Sequence, residues 1–146
     1  MASQMPGTLF VEIVAPDKHV FSSEATRFAA PGVNGSFEVL YNHAPLMAAT
    51  DIGPVVVTTA SGERVTFASS GGFVQVLGNR VIMLSETAEP SSEIDVERAR
   101  KAEERAIANL ATTSGEDRKD AEDALERARN RLRVAMGQVG SQPAQE

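Results

Sequence analysis

Residues 88–99 read Ala-Glu-Pro-Ser-Ser-Glu-Ile-Asp-Val-Glu-Arg-Ala, and the composition of the chain changes at this stretch. Residues 1–89 carry only 12 charged side chains among glycine, proline and β-branched residues, whereas residues 90–146 carry 22 among repeated alanines and arginines. The first pattern is typical of short buried strands, and the second of charged helices. The sequence therefore predicts a β-rich body with a helical arm, which favours a protein that positions and switches other proteins over one that does chemistry.

The overall composition limits the classes of partner. The formal net charge of −6 over 146 residues argues against a general affinity for nucleic acid. There is no cysteine, so disulfides and thiolate metal sites are excluded, which fits a reducing compartment. A chain of this length is expected to be one domain, or one domain with an appendage.

Both ends of the chain are expected to be disordered. Residues 1–7 lack a basic region followed by an apolar stretch, so we interpret them as a disordered lead-in and not as a signal peptide. Residues 138–146 are expected to form a disordered tail. No apolar run approaches the roughly 20 residues that a membrane-spanning helix needs, so work at a membrane would depend on another chain.

Residues 8–89 are predicted to form an antiparallel β-sandwich. Leu9, Val11 and Ile13 alternate with their neighbours as in a half-buried strand, and later apolar runs are separated by evenly spaced turn signals. These signals are Pro16-Asp17, Asn34-Gly35, Asn42 to Pro45, Ser61-Gly62, Gly71-Gly72 and Gly78-Asn79. Such spacing leaves no room for the crossover helices of a parallel sheet, and predicts an antiparallel sandwich or barrel.

Residues 90–137 are predicted to form an antiparallel two-helix hairpin, which makes the whole chain α+β. Apolar residues recur at helical spacing, at Ala99, Ala102, Ala106 and Leu110 and then at Ala121, Leu125, Ala128, Leu132 and Ala135. Ser92 with Asp95 is predicted to start the first helix. Ser114 with Asp117 is predicted to cap the second helix, and Gly137 to end it. At ~0.8 kcal/mol per buried CH₂, an alanine seam is weak compared with a leucine seam, so we expect the hairpin to be separable from the body.

Catalytic motifs are absent from the sequence. It contains no P-loop, and residues 69–72, Ser-Ser-Gly-Gly, lack the spacing of a nucleophile elbow. The two histidines, His19 and His43, make no metal-ligand cluster. The acids Glu103 and Glu104 belong to a charged helix and are interpreted as a solvated face. An enzyme and a metal site are therefore not predicted.

The Asn42–Leu46 turn has two interpretations that the residues leave even. Asparagine and proline are chosen in turns for their backbone geometry, so the turn has a structural explanation. With Tyr41 beside it, the same turn tip is equally suited to contact a partner.

An arginine array on the second helix also has two interpretations. Arg127 and Arg131 flank one side of the apolar stripe, and Arg129 and Arg133 flank the other. They are either ordinary surface residues with ion pairs such as Asp123–Arg127, each worth ~0.3–0.5 kcal/mol, or an anion site, because arginine matches phosphate and carboxylate geometry. The residues alone favour the first interpretation.

Several stretches together resemble the epsilon subunit of the F-type ATP synthase. They are Gly35 through Leu46, the Gly-Phe-Val-Gln-Val-x-x-Asn-Arg-Val run over residues 72–81, Ile-Asp-Val-Glu-Arg-Ala over residues 94–99, and residues 126–135. The resemblance covers about residues 8–136. No single one of these motifs is specific to the family, but the combination of the motifs in this order and at this spacing is.

The resemblance implies a flattened β-sandwich of about ten strands followed by a two-helix hairpin. Such subunits have no active site. They sit at the foot of the central stalk on the gamma subunit and the c-ring, and couple proton-driven rotation to ATP synthesis in the catalytic head. In many bacterial members the hairpin opens, meets the catalytic alpha and beta subunits through basic residues and blocks ATP hydrolysis. In some members the folded hairpin binds regulatory ATP.

The resemblance also implies sites, residue by residue. The nucleotide candidates are Glu89, Ile94, Asp95, Arg98, Ala99, Arg127 and Arg131. The c-ring candidates are Gly35, Ser36, Asn42 and His43. The inhibitory-arm candidates are Arg127, Arg129, Arg131 and Arg133. Where ATP-binding members have a basic residue one to two turns before Arg127, this chain has Asp120, so we expect weak ATP binding at best and no other cofactor.

We therefore expect a non-catalytic rotor subunit that couples rotation to ATP synthesis, with a C-terminal helical arm that inhibits ATP hydrolysis. We expect it at the cytoplasmic face of a bacterial inner membrane, held there only through the complex. The alternative is a stand-alone β-sandwich ligand-binding or adaptor module. That alternative needs a concave face lined by aromatic side chains. The sequence has only one Tyr, six Phe and no Trp to form such a face.

Overall fold

The computed structural model describes residues 6–138, so most of the two ends predicted to be disordered, residues 1–7 and 138–146, lies outside the described residues. Within these described residues nine strands precede two helices, which confirms the predicted α+β class. The strands are β1 Leu9–Ala15, β2 Lys18–Gly32, β3 Gly35–Val39, β4 Leu46–Thr50, β5 Gly53–Thr59, β6 Arg64–Ser69, β7 Gly72–Leu77, β8 Arg80–Ser85 and β9 Ala88–Pro90.

Strand β2 spans 15 residues and belongs to both layers of the sandwich. Its first half pairs with β1, and that layer continues through β8 and β7 to β4. Its second half lies between β3 and β5, and that layer continues through β6 to β9. The register shifts between Ala25 and Arg27, and this bulge marks where the strand passes from one layer to the other. Counting β2 twice gives five strands in each layer, which accounts for the expected number of about ten.

Among the described strands the pairings are antiparallel with one exception, the parallel pair of β1 and β8. The alternation predicted for β1 is confirmed, because Leu9, Val11 and Ile13 are fully buried. These side chains join residues of both layers in one apolar core, whose largest members include Phe28 and Phe67. The core of the body is therefore complete without the helices.

The helices are α1 Val96–Thr112 and α2 Glu116–Ala135, and a 3₁₀ turn over Ser91–Glu93 precedes α1. The predicted start of α1 at Ser92 is wrong. Asp95 is the N-cap, and its Oδ1 accepts a hydrogen bond from the Arg98 backbone N–H at 3.0 Å. The reason is Ile94, which is buried against the sandwich with an extended backbone, so the helix begins only after it.

The ends of α2 give one correction and one confirmation. The predicted cap of Ser114 with Asp117 is wrong, since Gly115 is the N-cap with φ of 68° and no side chain caps the helix. The predicted stop at Gly137 is confirmed. Gly137 has φ of 70°, and its N–H donates to the Val134 carbonyl at 3.2 Å, as in a left-handed helix end.

Helix α2 carries the hairpin's contact with the body. It packs on β5, β6 and the 3₁₀ turn, while α1 packs mainly on α2. The apolar part of this contact is small and consists of Ala68, Ile94 and Val134, with Ala135 at its edge. The structure therefore positions the arginines of α2 beside the 3₁₀ turn and β9.

Candidate functional site

A cavity of about 260 Å³ lies where β9, the 3₁₀ turn, α1 and α2 meet. It brings together five of the seven predicted nucleotide candidates, namely Glu89, Asp95, Arg98, Ala99 and Arg131. Its other lining residues are Glu93, Ala102 and Arg105. Two of the lining residues on α1 are alanines, which leaves space between charged groups.

An ion pair crosses this cavity. Arg131 Nε on α2 donates to Glu89 Oε1 on β9 at 2.8 Å. Both side chains remain partly exposed. One of the two predicted arginines is thus already satisfied by a carboxylate of the protein itself, and any anion that binds Arg131 must compete with Glu89.

Asp95 is held in the cavity by its role as the N-cap of α1. Its carboxylate accepts a hydrogen bond from the Arg98 backbone N–H and lies at the positive end of the helix dipole. This fixes Asp95 and leaves the guanidinium of Arg98, one turn along, in the cavity lining.

A second cavity of about 290 Å³ continues along the hairpin and shares Ala102, Arg105 and Arg131 with the first. Arg127 lines this second cavity. The remaining lining residues are Ala106, Asn109 and Ala124. Together the two cavities present four arginines against three carboxylates, an excess that favours an anionic ligand.

Asp120 lines neither cavity. It lies four residues before Ala124 on α2, which is one helical turn toward the N-terminus on the same face. Helical spacing therefore predicts that its carboxylate lies on the flank of α2 that carries Arg127.

Ile94 is the nucleotide candidate that the structure places elsewhere. It is only 9% exposed and packs with Ala68 and Val134 between the 3₁₀ turn, β6 and α2. The side chain is not part of either cavity lining, so its role in this conformation is to dock the hairpin.

Arg105 is the arginine of the cavities that the sequence did not single out. It lines both cavities, seven residues after Arg98 and three after Ala102 on α1. The signal was available in the sequence, because residues seven apart share one face of a helix.

The other two arm arginines lie outside these cavities. Arg129 Nε donates to Glu103 Oε2 at 3.1 Å and so joins α2 to α1. Arg133 lines an outer groove together with Arg129, Leu125 and Glu126. The four arginines therefore form an inner pair at the cavities and an outer pair on the opposite flank.

The predicted ion pair of Asp123 with Arg127 is wrong. Asp123 Oδ1 accepts instead from Lys119 Nζ at 2.7 Å, one turn earlier on α2. This hydrogen bond is the main reason why the pKa of Lys119 is raised, and the charge of Asp51 adds to it.

The four c-ring candidates lie at the two ends of β3. Gly35 and Ser36 begin the strand and are exposed, while Asn42 and His43 lie in the turn after its other end. Among the described strands β3 pairs only with β2, so it is an edge strand. The candidates thus share one edge of the sandwich but do not form one cluster.

The Asn42 turn has a structural explanation. Asn42 has φ of 66°, which asparagine tolerates better than most residues. Its N–H donates to Asn79 Oδ1 at 2.6 Å, and Asn79 Nδ2 donates back to Asn42 Oδ1 at 3.3 Å. These two hydrogen bonds join the turn between β3 and β4 to the turn between β7 and β8. Tyr41, which is 47% exposed, is the accessible aromatic side chain beside them.

An exposed apolar face covers the layer of β4, β7 and β8. Phe73 and Leu84 lie opposite each other on β7 and β8, and more than half of each side chain is exposed. Leu77 lies on the same face of β7, and Met47 on β4 is 70% exposed. Contiguous apolar surfaces of this kind mark docking sites for other proteins.

Comparison with known proteins assigns the family. Residues 8–91 match the family model described as the ATP synthase delta/epsilon chain β-sandwich domain, and residues 92–136 match its long α-helix domain. The chain belongs to this family. An ATP synthase epsilon chain of Salinibacter ruber is 50% identical over 146 residues, covering 94% of this chain and 98% of the relative. One of Desulfitobacterium hafniense strain Y51 is 42% identical over 131 residues, covering 90% and 98%.

Solved structures share the fold. A chain in the cryo-EM structure of the Euglena gracilis mitochondrial ATP synthase OSCP/F1/c-ring assembly superposes with a TM-score of 0.79 at 24% identity, covering 93% of this chain and 86% of that chain. A chain in the Tetrahymena thermophila mitochondrial ATP synthase central stalk/c-ring structure gives 0.59 at 15% identity, covering 93% and 98%.

The family assignment identifies the protein's general role. It is a non-catalytic subunit of the ATP synthase, in its central stalk, and the alternative of a stand-alone β-sandwich module is not favoured. No helix within residues 6–138 is long and apolar enough to cross a membrane. Within the same residues no three His, Cys, Asp or Glu side chains are grouped so that they could hold a metal ion.

Proposed function

We propose that this subunit couples rotation to ATP synthesis by binding the gamma subunit through the exposed apolar face of β4, β7 and β8. The observation that carries the proposal is the Phe73–Leu84 pair on the surface of a sandwich whose core is already complete. Burying apolar surface of this kind contributes about 25 cal/mol per Å², which favours a permanent partner. Gamma is the partner that the family's role in the central stalk suggests.

We further propose that the β3 edge contacts the c-ring. Support comes from the exposure of Gly35 and Ser36 at one end of β3 and of Asn42 at the other. Polar turn ends on an edge strand tolerate substitution and suit a contact that must hold during rotation. Seated in this way, the subunit would lie peripherally at the cytoplasmic face of a bacterial inner membrane.

The helical arm is proposed to act on the catalytic alpha and beta subunits when it leaves the body. The docked contact is small in apolar area, and Arg129 and Arg133 already lie on the outer flank of α2. In the docked state the inner arginines are proposed to bind regulatory ATP weakly, because Glu89 competes for Arg131 and Asp120 lowers the potential near Arg127. A ligand of this kind stabilises the docked arm only by its higher affinity for that state.

The test of the gamma contact is co-purification of the full chain with gamma. The variant is Phe73→Ser with Leu84→Ser, and the matched control is Ile107→Ser on α1, which removes an apolar side chain of similar exposure. We expect the double variant to lose gamma while its melting temperature changes little, and the control to retain gamma. Retention of gamma by the double variant would contradict the proposed face.

A second experiment tests the proposed contact with the c-ring. Ser36→Glu with His43→Glu, in a subunit that still binds gamma, should weaken attachment to gamma–c-ring complexes and leave the isolated fold unchanged. Glu126→Gln, far from β3, is the control. Unchanged attachment, or a collapse of thermal stability in the variant, would remove these residues from the c-ring contact.

A further inference from the structure

A third cavity lies between α2 and the sandwich and is much smaller, about 10 Å³. Its lining consists of Ala68, Ser69, Ser70, Thr87, Arg127, Asn130 and Arg131. A volume of this size accommodates the centre of one water molecule and nothing larger. The lining is rich in polar side chains, unlike the apolar cavities that stay dry.

Asn130 gives this cavity a buried acceptor. The residue is only 1% exposed, and its Nδ2 donates to the Ser69 carbonyl at 3.3 Å. This bond fixes the orientation of the amide, because a carbonyl can only accept. Its Oδ1 is then buried with no hydrogen-bond partner among the described residues. A buried acceptor without a donor is costly, so a donor is expected close by.

Ser70 offers the complementary group on the sandwich side. Its Oγ accepts from the Thr87 N–H at 3.0 Å and from Thr87 Oγ1 at 2.8 Å. These two accepted hydrogen bonds use both lone pairs of the Ser70 hydroxyl, and its proton remains free to donate. Ser70 and Asn130 line the same cavity from opposite sides of the hairpin contact.

We propose that this cavity holds one water molecule that joins α2 to the sandwich. The water donates to Asn130 Oδ1 and accepts from Ser70 Oγ, with the guanidinium of Arg127 in the same lining as a further donor. Bridging waters of this kind contribute nearly as much enthalpy as a direct hydrogen bond. The docked position of the hairpin is thus set by a hydrated polar contact, in addition to the few apolar side chains around Ile94.

The first test is a high-resolution crystal structure of the full chain. We expect an ordered water within about 2.7–3.2 Å of both Asn130 Oδ1 and Ser70 Oγ. Absence of density in the cavity, or a direct protein donor on Asn130 Oδ1, would overturn the proposal.

The second test uses NMR in solution, where a long-lived water gives cross-peaks to the Asn130 side-chain amide. We expect these cross-peaks in the full chain and in Ser92→Ala, an exposed serine of the 3₁₀ turn, and their loss in Ser70→Ala. Their persistence in Ser70→Ala would show that Ser70 does not hold the water and would contradict the bridge. If Ser70→Ala does not fold, as judged by its backbone shifts, the crystallographic result decides.

Discussion

Arg131 and Glu89 lie 42 residues apart in the chain, and the hydrogen bond between Nε and Oε1 at 2.8 Å joins the second helix to the last strand. The same two residues line the cavity of about 260 Å³ between the hairpin and the body. The pair therefore has two consequences: it holds α2 in the docked position, and it lowers the affinity of the cavity for any other anion.

Glu89→Gln is expected to reduce stability only slightly. The two side chains are 32% and 40% exposed, and ion pairs of this exposure contribute under about 1 kcal/mol. We expect a fall in the free energy of unfolding of about 0.5 kcal/mol at low salt that nearly disappears in 1 M NaCl, because salt screens the pair. Urea unfolding at both salt concentrations measures it.

Glu126→Gln is the control for that experiment. Glu126 is exposed on the outer flank of α2, and its change should be near neutral at both salt concentrations. An equal loss for Glu89→Gln at low and high salt would show that Glu89 acts through packing and not through its charge.

The sequence predicted the class of fold and the turns better than the course of β2. Turn signals such as Asn34-Gly35 identified the hairpins, since they need particular backbone angles. The first half of β2 is polar, for example at Ser22 and Ser23, because it lies partly at the surface beside β1. The bulge near Thr26 then breaks the alternation, so no single period describes a strand shared by two layers.

The candidate site was predictable in its residue types but not in its details. Helical spacing placed Arg127 and Arg131 on one flank of α2, yet the residues alone favoured an ordinary surface. Asn130 was not identified, because nothing local to α2 indicates that the Ser69 carbonyl lies beside it. The helix start was wrong for the same reason: Ile94 is kept out of α1 by its contact with the body.

Gly72→Ala is expected to destabilise the body strongly. A Cβ at Gly72 would overlap the Leu84 carbonyl of the neighbouring strand β8, and Ser85 lies directly opposite. The backbone atoms of a paired strand cannot move aside, so we expect a loss of about 1–3 kcal/mol. Urea unfolding of the full chain measures it.

Gln75→Ala, on the exposed face of the same strand, is the control and should change stability by no more than about 0.5 kcal/mol. Equal stability of Gly72→Ala and the control would show that β7 and β8 separate at this end more easily than the structure indicates.

Arg105→Gln is expected to weaken anion binding to the hairpin. Arg105 lines both cavities of the hairpin, whereas Arg133 lies on the outer flank, so Arg133→Gln is the charge-matched control. Hydrogen bonds to charged groups contribute about 1.5 kcal/mol or more, which corresponds to roughly tenfold in affinity. NMR titration with ATP at low salt measures both variants. Equal weakening by both would indicate a general effect of charge and no defined site.

Asp120→Arg is expected to strengthen ATP binding. Asp120 lies one turn before Ala124 on α2, and helical spacing predicts the flank that carries Arg127 and Arg131. The change replaces a carboxylate that repels phosphate with a guanidinium that donates hydrogen bonds to it. We expect weak binding by the unchanged chain and a gain of about tenfold in the variant, measured by calorimetry. Glu126→Arg makes the same change of charge on the outer flank and should gain much less. Tight binding by the unchanged chain would show that Asp120 does not face the site, and no gain in the variant would remove the arginine pair from nucleotide binding.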